Sequence, residues 1–266
     1  MTMSAIEFHS RLGLPNQGRQ RIKAARVTDG CHDPASAALP GWKRALDITC
    51  ILTSLPLVLP LLALVALWVR CVSSGPVIFC QERIGINGKR FLMYKFRSME
   101  MNASPIPHEE YTRNLIQSDR PWVKLDALDD PRIIQGGLLL RASGLDELPQ
   151  LINVLCGEMS LVGPRPCLSH EYELHTPSQR ARFSVLPGMT GSWQVNHGND
   201  TTFRQMNEMD RQYIGLTSFK NDLAIILRTP AILVDRIRHV RSQQADGERH
   251  TKQPGIEANE ALPEIN

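Results

Sequence analysis

The chain has 266 residues, of which 42% are hydrophobic and 21% charged, and this composition excludes a fibrous or wholly disordered protein. The length fits about one or two domains, and one folded domain with tails is the simplest arrangement. A formal net charge of +3 is too small to indicate a nucleic-acid-binding protein, so no nucleic-acid partner is expected. The six cysteines include no C-x-x-C pair, which favours reduced thiols over a disulfide framework or a zinc site.

Both ends of the chain are predicted to lack regular structure. Residues 1–40 mix Pro, Gly, Ser and basic residues without a sustained period, and we interpret them as a flexible basic arm. Residues 242–266 are polar and aperiodic, and we interpret them as a disordered tail. The N-terminus lacks the basic and apolar regions of a secretory signal, so export is not expected.

A long uncharged stretch follows the arm. Residues 48–69 carry no charged side chain and, as a helix, would be long enough to cross roughly 30 Å of hydrocarbon. Pro56 and Pro60 lie near the middle, where each removes a backbone donor and favours a bend. Basic residues, which mark the cytoplasmic side of a membrane, flank both ends. A re-entrant helix-break-helix over residues 41–74 satisfies both flanks, whereas a straight span would leave one basic flank outside.

The next segment, residues 75–241, has the mixed pattern of a small, soluble α+β domain. Residues 75–79 and 89–96 are rich in β-branched and aromatic side chains and are bounded by glycines, which predicts two short strands joined by a turn. The polar, proline-bearing stretch 98–131 is interpreted as a loop with one helical piece.

Two helices are predicted further along this domain. The first has leucine and isoleucine at helical spacing over residues 148–155 and stops before Gly157. The second covers residues 222–242, is amphipathic and ends in arginines. That composition is typical either of a helix on an anionic membrane surface or of a core helix with a solvated basic face.

An acid pair at the start of the first of these helices is the main candidate for chemistry. Asp146 is a good N-cap candidate, because Pro149 would then lie in the first turn, where its missing N–H is harmless. A capped helix with no further role is one interpretation. In the functional one, helix N-termini attract phosphate, either Asp146 or Glu147 attacks, and the other carboxylate holds a cation. Two acids beside an anion then need Mg²⁺ or arginines nearby.

Basic and polar side chains in neighbouring motifs could complete such a site. Arg141 precedes the acid pair, and Arg165 lies in a loop bracketed by Gly and Pro, where a rigid guanidinium suits phosphate. Lys95 and Arg97 belong to or follow a predicted strand, and Gln194 lies on a Gly-rich turn. Each is also compatible with a solvated surface. The usual NTPase, dinucleotide, hydrolase and zinc-protease motifs do not occur in the sequence. An acid pair with arginines beside a membrane segment suggests phosphate transfer between a soluble and a lipid substrate.

Residues 41–240 resemble the bacterial sugar transferase family, the monotopic polyprenyl-phosphate phosphoglycosyl transferases. The resemblance rests on the proline-containing apolar segment and on four ordered strings: KRALDI, GPVIFCQERIGINGKRFLMYKFRSM, LDELPQLINVLCGEMSLVGPRP and LPGMTGSWQVN. It implies transfer of a sugar 1-phosphate from a UDP-sugar to undecaprenyl phosphate, with release of UMP and a requirement for Mg²⁺. This reaction is the first membrane step of exopolysaccharide or related glycan synthesis. The resemblance also implies a re-entrant protein in contact with membrane lipids, on the cytoplasmic face of the bacterial inner membrane.

The resemblance further implies roles for individual residues. Asp146 matches the nucleophile that forms a covalent phosphosugar intermediate, and Glu147 matches its metal-associated partner, so both are expected at the Mg²⁺ ion. The residues and the resemblance together give six substrate-binding candidates: Lys95, Arg97, Arg141, Arg165, Gln194 and Asp210.

The sequence departs from the family pattern at two positions. Leu59 and Gly144 stand where a serine often precedes the breaking Pro60 and the Leu-Asp-Glu string. The rival hypothesis is a non-enzymatic, membrane-anchored scaffold or lipid-phosphate-binding protein of a polysaccharide assembly complex. The sequence leaves open which sugar is transferred, in which pathway, and whether the protein is a homodimer.

Overall fold

The computed structural model describes residues 40–100, 112–114, 116, 120–121, 132–196 and 201–251. The predicted basic arm, apart from Pro40, lies outside the described residues, as do residues 252–266 of the predicted tail. Most of the predicted loop at 98–131 also lies outside them, although residues 112–114 and 116 are helical.

Helix α1, Gly41–Val72, contains the whole apolar segment. Within the described part of the chain it is the one helix long and apolar enough to cross a membrane. Helical structure continues across both Pro56 and Pro60, so the predicted break is not an interruption, and any change of direction is a bend within one helix. Thr53 Oγ1 donates to the Thr49 carbonyl at 2.8 Å, a bond to the preceding turn that often bends helices.

Both ends of α1 have residues buried against the folded body, whereas its middle has none. Ile51 is buried in a cluster with residues that follow it in the chain, and Val65 and Val69 are buried in a second cluster. No residue between Ile51 and Val65 is buried, and Leu57 is 75% exposed. The exposed middle of α1 is therefore an apolar surface whose contact with water is unfavourable.

Strands β1, Ile78–Ile84, and β2, Arg90–Phe96, form a hairpin as predicted. The predicted bounds of β1 are wrong, because the strand shares only Ile78 and Phe79 with the predicted range 75–79 and continues to Ile84. The strands are antiparallel and pair from one end to the other. A short 3-10 turn, Ile86–Gly88, joins them, and Asn87 takes a φ of 55°, a left-handed conformation that asparagine tolerates. Alternate faces of β2 contribute to different clusters around the two ends of α1.

A second small sheet pairs β3, Ser160–Val162, in parallel with β4, Gly188–Thr190. Glycines permit the main chain of β4 to lie close to the main chain that follows β3, because a Cβ added to Gly188 would lie 2.1 Å from the Gly163 nitrogen. The Gly-rich stretch predicted as a turn is therefore a strand, followed directly by helix α5, Ser192–Asn196.

The remaining helices surround these two sheets. They are α2, Gly137–Ala142; α3, Gln150–Cys156; α4, Ser169–Glu173; α6, Phe203–Gly215; and α7, Phe219–Thr251. Two further 3-10 segments cover Leu145–Glu147 and Gln179–Ser184. Many helices with two small sheets are consistent with the predicted α+β class.

The predicted helix boundaries are only partly correct. Helix α3 ends before Gly157, which takes a φ of 78° as a left-handed C-terminal residue, as the sequence predicts. The N-cap prediction is wrong, because Pro149 is the N-cap of α3 and Asp146 lies in the preceding 3-10 turn. Helix α7 runs on to Thr251, so the first residues of the predicted disordered tail are helical.

Candidate active site

The acid pair lies in the 3-10 turn Leu145–Glu147, which three elements hold in place. Leu145 and Leu148 pack into the cluster that Val65, Val69 and Phe96 form between α1 and β2. On the other side the turn faces α7. Asp146 is thereby only 5% exposed, between the C-terminal half of the apolar helix and the folded body.

Gly144 sets the direction of the chain just before the acid pair. Its φ is 70°, in the left-handed region, and a Cβ there would lie 3.3 Å from a methyl carbon of Leu233 on α7. A serine at this position would carry a strained backbone, so glycine fits the local conformation. The glycine at this departure from the family pattern therefore matches the backbone conformation that precedes Asp146.

Cations from three elements surround Glu147. Lys95 on β2 donates to Glu147 Oε1 at 2.8 Å. Arg236 on α7 is partly buried, and burial lowers its pKa while its attraction to Glu147 opposes that shift. Arg83 on β1 is also close enough to interact electrostatically with Glu147. Three cations on three different elements therefore act on Glu147.

Arg97 is a buried cation with unused donors. Its side chain is 4% exposed, and its Nη2 donates to the Ser73 carbonyl at 2.9 Å. Its Nε and Nη1 have no hydrogen-bond partner among the described residues, and neither does the buried Ser73 Oγ. Arg141 Nη1 donates at 3.1 Å to Oγ of Ser98, the residue that follows Arg97 in the chain. A buried guanidinium is stable only with a counter-charge or acceptors, so these donors suit an anionic ligand.

Arg165 lies in the loop after β3, at the edge of a buried ionic cluster. Its Nη1 is 3.6 Å from Oε1 of Glu171, a residue of α4 that is 1% exposed. Burial by itself raises the pKa of Glu171, but the attraction of Arg165 and Arg83 outweighs burial and holds that pKa below its usual value. Burial and the neighbouring Arg165 lower the pKa of Arg83 to about 10, so it remains charged at neutral pH.

Gln194 and Asp210 occupy different environments from those the sequence suggests. Gln194 lies on α5 rather than on a turn, and its Oε1 is buried with no partner in the described part of the chain. Asp210 on α6 is buried and lies 2.6 Å from Arg182 Nη2. Burial raises the pKa of Asp210 to about 6, although Arg182 opposes the shift. A direct contact between Asp210 and a substrate has no support in this position.

The structure brings part of the predicted set together around the acid pair. Lys95 contacts Glu147 directly, and Leu145 beside Asp146 packs with Phe96, which precedes Arg97. Arg83 links the two groups of charges, because it interacts with both Arg165 and Glu147. The sequence missed four residues of this region: Arg83, Glu171, Arg182 and Arg236. No local pattern indicates them, since each contributes through the tertiary structure.

The donor set at the acid pair fits the predicted Mg²⁺ ion. Among the residues that the structure describes, no group of three or more His, Cys, Asp or Glu side chains could hold a metal by itself. Mg²⁺ is commonly bound by one or two carboxylates together with substrate phosphates and water. Asp146 and Glu147 supply two adjacent carboxylates, and a phosphorylated substrate would supply the remaining oxygens.

A profile of the family described as bacterial sugar transferase matches residues 39–236. The chain therefore belongs to the bacterial sugar transferase family. The matched region includes α1, both sheets, the acid pair and most of α7.

Three relatives illustrate this membership. The chain is 39% identical over 200 residues to the undecaprenyl-phosphate galactose phosphotransferase of Salmonella typhimurium, covering 73% of this chain but 40% of that relative. It is 35% identical over 195 residues to the exopolysaccharide production protein ExoY of Sinorhizobium fredii, covering 73% of this chain and 86% of ExoY. It is 38% identical over 200 residues to the UDP-glucose:undecaprenyl-phosphate glucose-1-phosphate transferase of Caulobacter vibrioides, covering 72% and 69%.

Proposed function

We propose that this protein transfers a sugar 1-phosphate from a UDP-sugar to undecaprenyl phosphate and releases UMP, as the first membrane step of exopolysaccharide or related glycan synthesis. The names of the Salmonella and Caulobacter relatives support this class of reaction. They differ in the sugar, galactose in one and glucose in the other, so the proposal leaves the sugar to experiment.

The observation that carries the proposal is the buried guanidinium of Arg97. Its Nε and Nη1 lack partners among the described residues, and an uncompensated buried charge costs several kcal/mol, of order 3–5 kcal/mol for a broken buried pair. A phosphate group would supply both the counter-charge and the acceptors. Lys95 lies on β2 and contacts Glu147, and Arg97 follows directly after the last residue of that strand. The proposed phosphate position therefore lies at the end of the strand that carries a direct partner of the acid pair.

Asp146 is the proposed nucleophile. In the first step a carboxylate oxygen of Asp146 attacks the phosphorus that carries the sugar. The bond from this phosphorus to the oxygen bridging the two phosphates breaks, and UMP leaves with the bonding electron pair. In the second step an oxygen of undecaprenyl phosphate attacks the same phosphorus, and the Asp146 carboxylate leaves. Burial of Asp146 keeps water away from the intermediate.

The neighbouring side chains have separate proposed roles. Lys95 holds Glu147 through their ion pair, and Arg97 and Arg165 bind phosphate oxygens. A Mg²⁺ ion bound by Asp146 and Glu147 would neutralise negative charge on the diphosphate. The partly buried amide of Gln194 has an unused acceptor, Oε1, that is available for a donor on the substrate.

We further propose that α1 is re-entrant and that both of its ends lie at the cytoplasmic face of the inner membrane. A straight helix of 32 residues would be about 48 Å long. At its start, Asp47 Oδ1 accepts from the Leu161 nitrogen at 3.0 Å, and at its end the Ser73 carbonyl accepts from Arg97. Anchorage of both ends to one body, with an exposed apolar middle, supports a helix that bends into the lipid and returns.

A second apolar surface continues from the start of α1. The ring of Trp42 packs against Phe219 at the start of α7, with ring centroids 6.3 Å apart. Leu216 is exposed just before α7, and Leu227, Val234 and Arg238 are exposed on α7 itself. Apolar and basic exposed side chains on one helix favour the membrane-surface alternative for α7.

The proposal is tested with the variant Asp146→Asn, which retains the size of the side chain. Purified protein is incubated with Mg²⁺, undecaprenyl phosphate and, in turn, UDP-glucose, UDP-galactose and UDP-N-acetylhexosamines, and UMP release is measured. Because removal of a nucleophile eliminates the chemical step, we expect release to fall at least about a thousandfold. Asp235→Asn, an exposed site on α7, is the matched control and should retain activity.

The same assay separates the proposal from the scaffold hypothesis. A scaffold would release no UMP from any of these nucleotides, even as the wild-type protein. If wild-type protein is active and Asp146→Asn retains near-normal turnover, Asp146 is not the nucleophile. With undecaprenyl phosphate omitted, mass spectrometry should find a sugar phosphate on the peptide that contains Asp146.

A further inference from the structure

The loop that carries Arg165, residues 163–166, is held on several sides by buried charged groups. Arg182, in the 3-10 segment Gln179–Ser184, donates from Nη2 to the Arg165 carbonyl at 2.9 Å. Arg83 donates from Nη1 to the Pro166 carbonyl at 3.2 Å. Two guanidinium groups from distant segments thus bind consecutive carbonyls of one loop.

We infer that Arg182 is a positioning residue that fixes the main chain of this loop, so that the Arg165 side chain is held ready for a substrate phosphate. Arg182 itself is 2% exposed and so cannot reach a substrate. The inference rests on the proposed function, because it takes phosphate binding by Arg165 as given.

Arg182 is fixed by partners around its guanidinium. Its Nη1 donates to Asn207 Oδ1 at 3.0 Å, and its Nη2 lies 2.6 Å from Asp210 Oδ2. Both partners belong to α6, whereas the Arg165 carbonyl belongs to the loop after β3. The planar fork of the guanidinium therefore joins α6 to the loop in one orientation.

A neutral histidine completes this environment. His175 Nδ1 lies 2.7 Å from the Glu171 carbonyl, which can only accept, so Nδ1 carries the proton. Nε2 is then an acceptor and faces Arg182 Nη1 at 3.4 Å. Burial and the nearby Arg182 lower the pKa of His175 to about 4, which keeps the ring neutral. The guanidinium of Arg182 consequently contacts one carboxylate, which compensates its charge, and neutral acceptors, which fix its orientation.

A lysine cannot reproduce this arrangement. Its single ammonium group can compensate the charge of Asp210, but it lacks the planar, forked donors that reach Asn207 and the Arg165 carbonyl together. The variant Arg182→Lys therefore keeps the buried charge and removes the hydrogen bond that holds the Arg165 carbonyl, while the Arg83 bond to the Pro166 carbonyl remains. The exposed variant Arg180→Lys, in the same 3-10 segment, is the matched control, because Arg180 contacts the Tyr172 ring rather than the loop.

The test measures kcat and KM for the UDP-sugar that the wild-type protein uses, at saturating undecaprenyl phosphate. Loss of a charged hydrogen bond that orders Arg165 should raise the KM of Arg182→Lys about tenfold, whereas Arg180→Lys should leave it unchanged. Partial unfolding would lower the apparent kcat without changing KM, since KM does not depend on the amount of active enzyme. A reduced kcat with an unchanged KM would therefore overturn the inference.

A double-mutant cycle with Arg165→Ala separates the inference from the proposed function. If Arg182 acts through Arg165, adding Arg182→Lys to Arg165→Ala should change kcat/KM by less than about twofold. Additive losses would overturn the positioning role and leave phosphate binding by Arg165 intact. If Arg165→Ala by itself leaves kcat/KM unchanged, the proposed role of Arg165 fails, and the positioning role of Arg182 fails with it.

Discussion

Replacement of Lys43 by methionine should destabilise the protein strongly. Lys43 lies near the start of α1, yet its ammonium group is buried against α6, α7 and β3. It donates to the Val162 carbonyl at 2.9 Å and to Tyr213 Oη at 2.9 Å, and it forms an ion pair with Asp222. Methionine fills a similar volume but carries no charge. The Asp222 carboxylate, which is 1% exposed, would then keep the hydrogen bond from the Tyr213 hydroxyl but lose its cation.

The magnitude follows from that buried carboxylate. Removal of one partner of a buried ion pair costs about 3–5 kcal/mol, because the other charge stays buried without compensation. For a domain of this size each kcal/mol lowers the melting temperature by about 2–4 °C, so the expected decrease is roughly 6–20 °C. Thermal unfolding of the detergent-solubilised protein, followed by far-ultraviolet circular dichroism, measures it.

Two further variants control this experiment. Arg238→Met removes an exposed pair with Asp235 on α7, and exposed pairs contribute about 1 kcal/mol or less. The double variant Lys43→Met with Asp222→Asn removes the buried charge and should recover part of the lost melting temperature. A Lys43→Met protein that melts within about 2 °C of wild type would refute the reasoning, because the pair would then contribute almost nothing.

Two more predictions concern the other buried charges. Arg97→Met should leave the melting temperature unchanged or raise it, since it removes a buried guanidinium with two unpartnered nitrogens, yet UMP release should fall at least about tenfold. Equal losses of stability and activity would argue for a structural role. Burial raises the pKa of Asp210 from 3.8 to about 6. The stability that the Asp210 carboxyl contributes is therefore fully present below pH 3.8 and is lost as the pH rises through about 6. The free energy of unfolding of Asp210→Asn relative to wild type, measured by urea denaturation, should therefore rise between pH 4 and pH 6, by at most about 1.4 kcal/mol per pH unit. If this difference in the free energy of unfolding is constant or falls between pH 4 and pH 6, the pKa of Asp210 is not raised in the folded protein.

Local sequence patterns predicted several elements of the fold. The hairpin of β1 and β2 follows from β-branched and aromatic runs bounded by glycines, and α3 follows from leucine spacing that ends at Gly157. These signals are local because a strand or helix buries a face that its own residues define. The N-cap assignment of Asp146 failed for the opposite reason, since packing of the turn between α1, β2 and α7 decided where that side chain lies.

The basic flank of α1 illustrates a signal that was detected but incompletely interpreted. In the sequence, Lys43 and Arg44 count as membrane-flanking charges. In the structure, Arg44 donates to the Val154 carbonyl and to the Leu155 carbonyl at 2.6 Å, so it satisfies carbonyls at the C-terminal end of α3. A flanking charge and a helix-capping charge look alike in the sequence, because their difference lies in partners more than a hundred positions away.

The sequence by itself determined the apolar helix, the acid pair and the family resemblance, because each is written in consecutive residues. Tertiary structure decided which charges meet. It brought Arg83, Lys95 and Arg236 toward Glu147, buried Asp210 against Arg182, and left two nitrogens of Arg97 without partners among the described residues. The physical reason is that electrostatic interactions depend on distance in space and on burial, and a local sequence pattern reveals neither quantity.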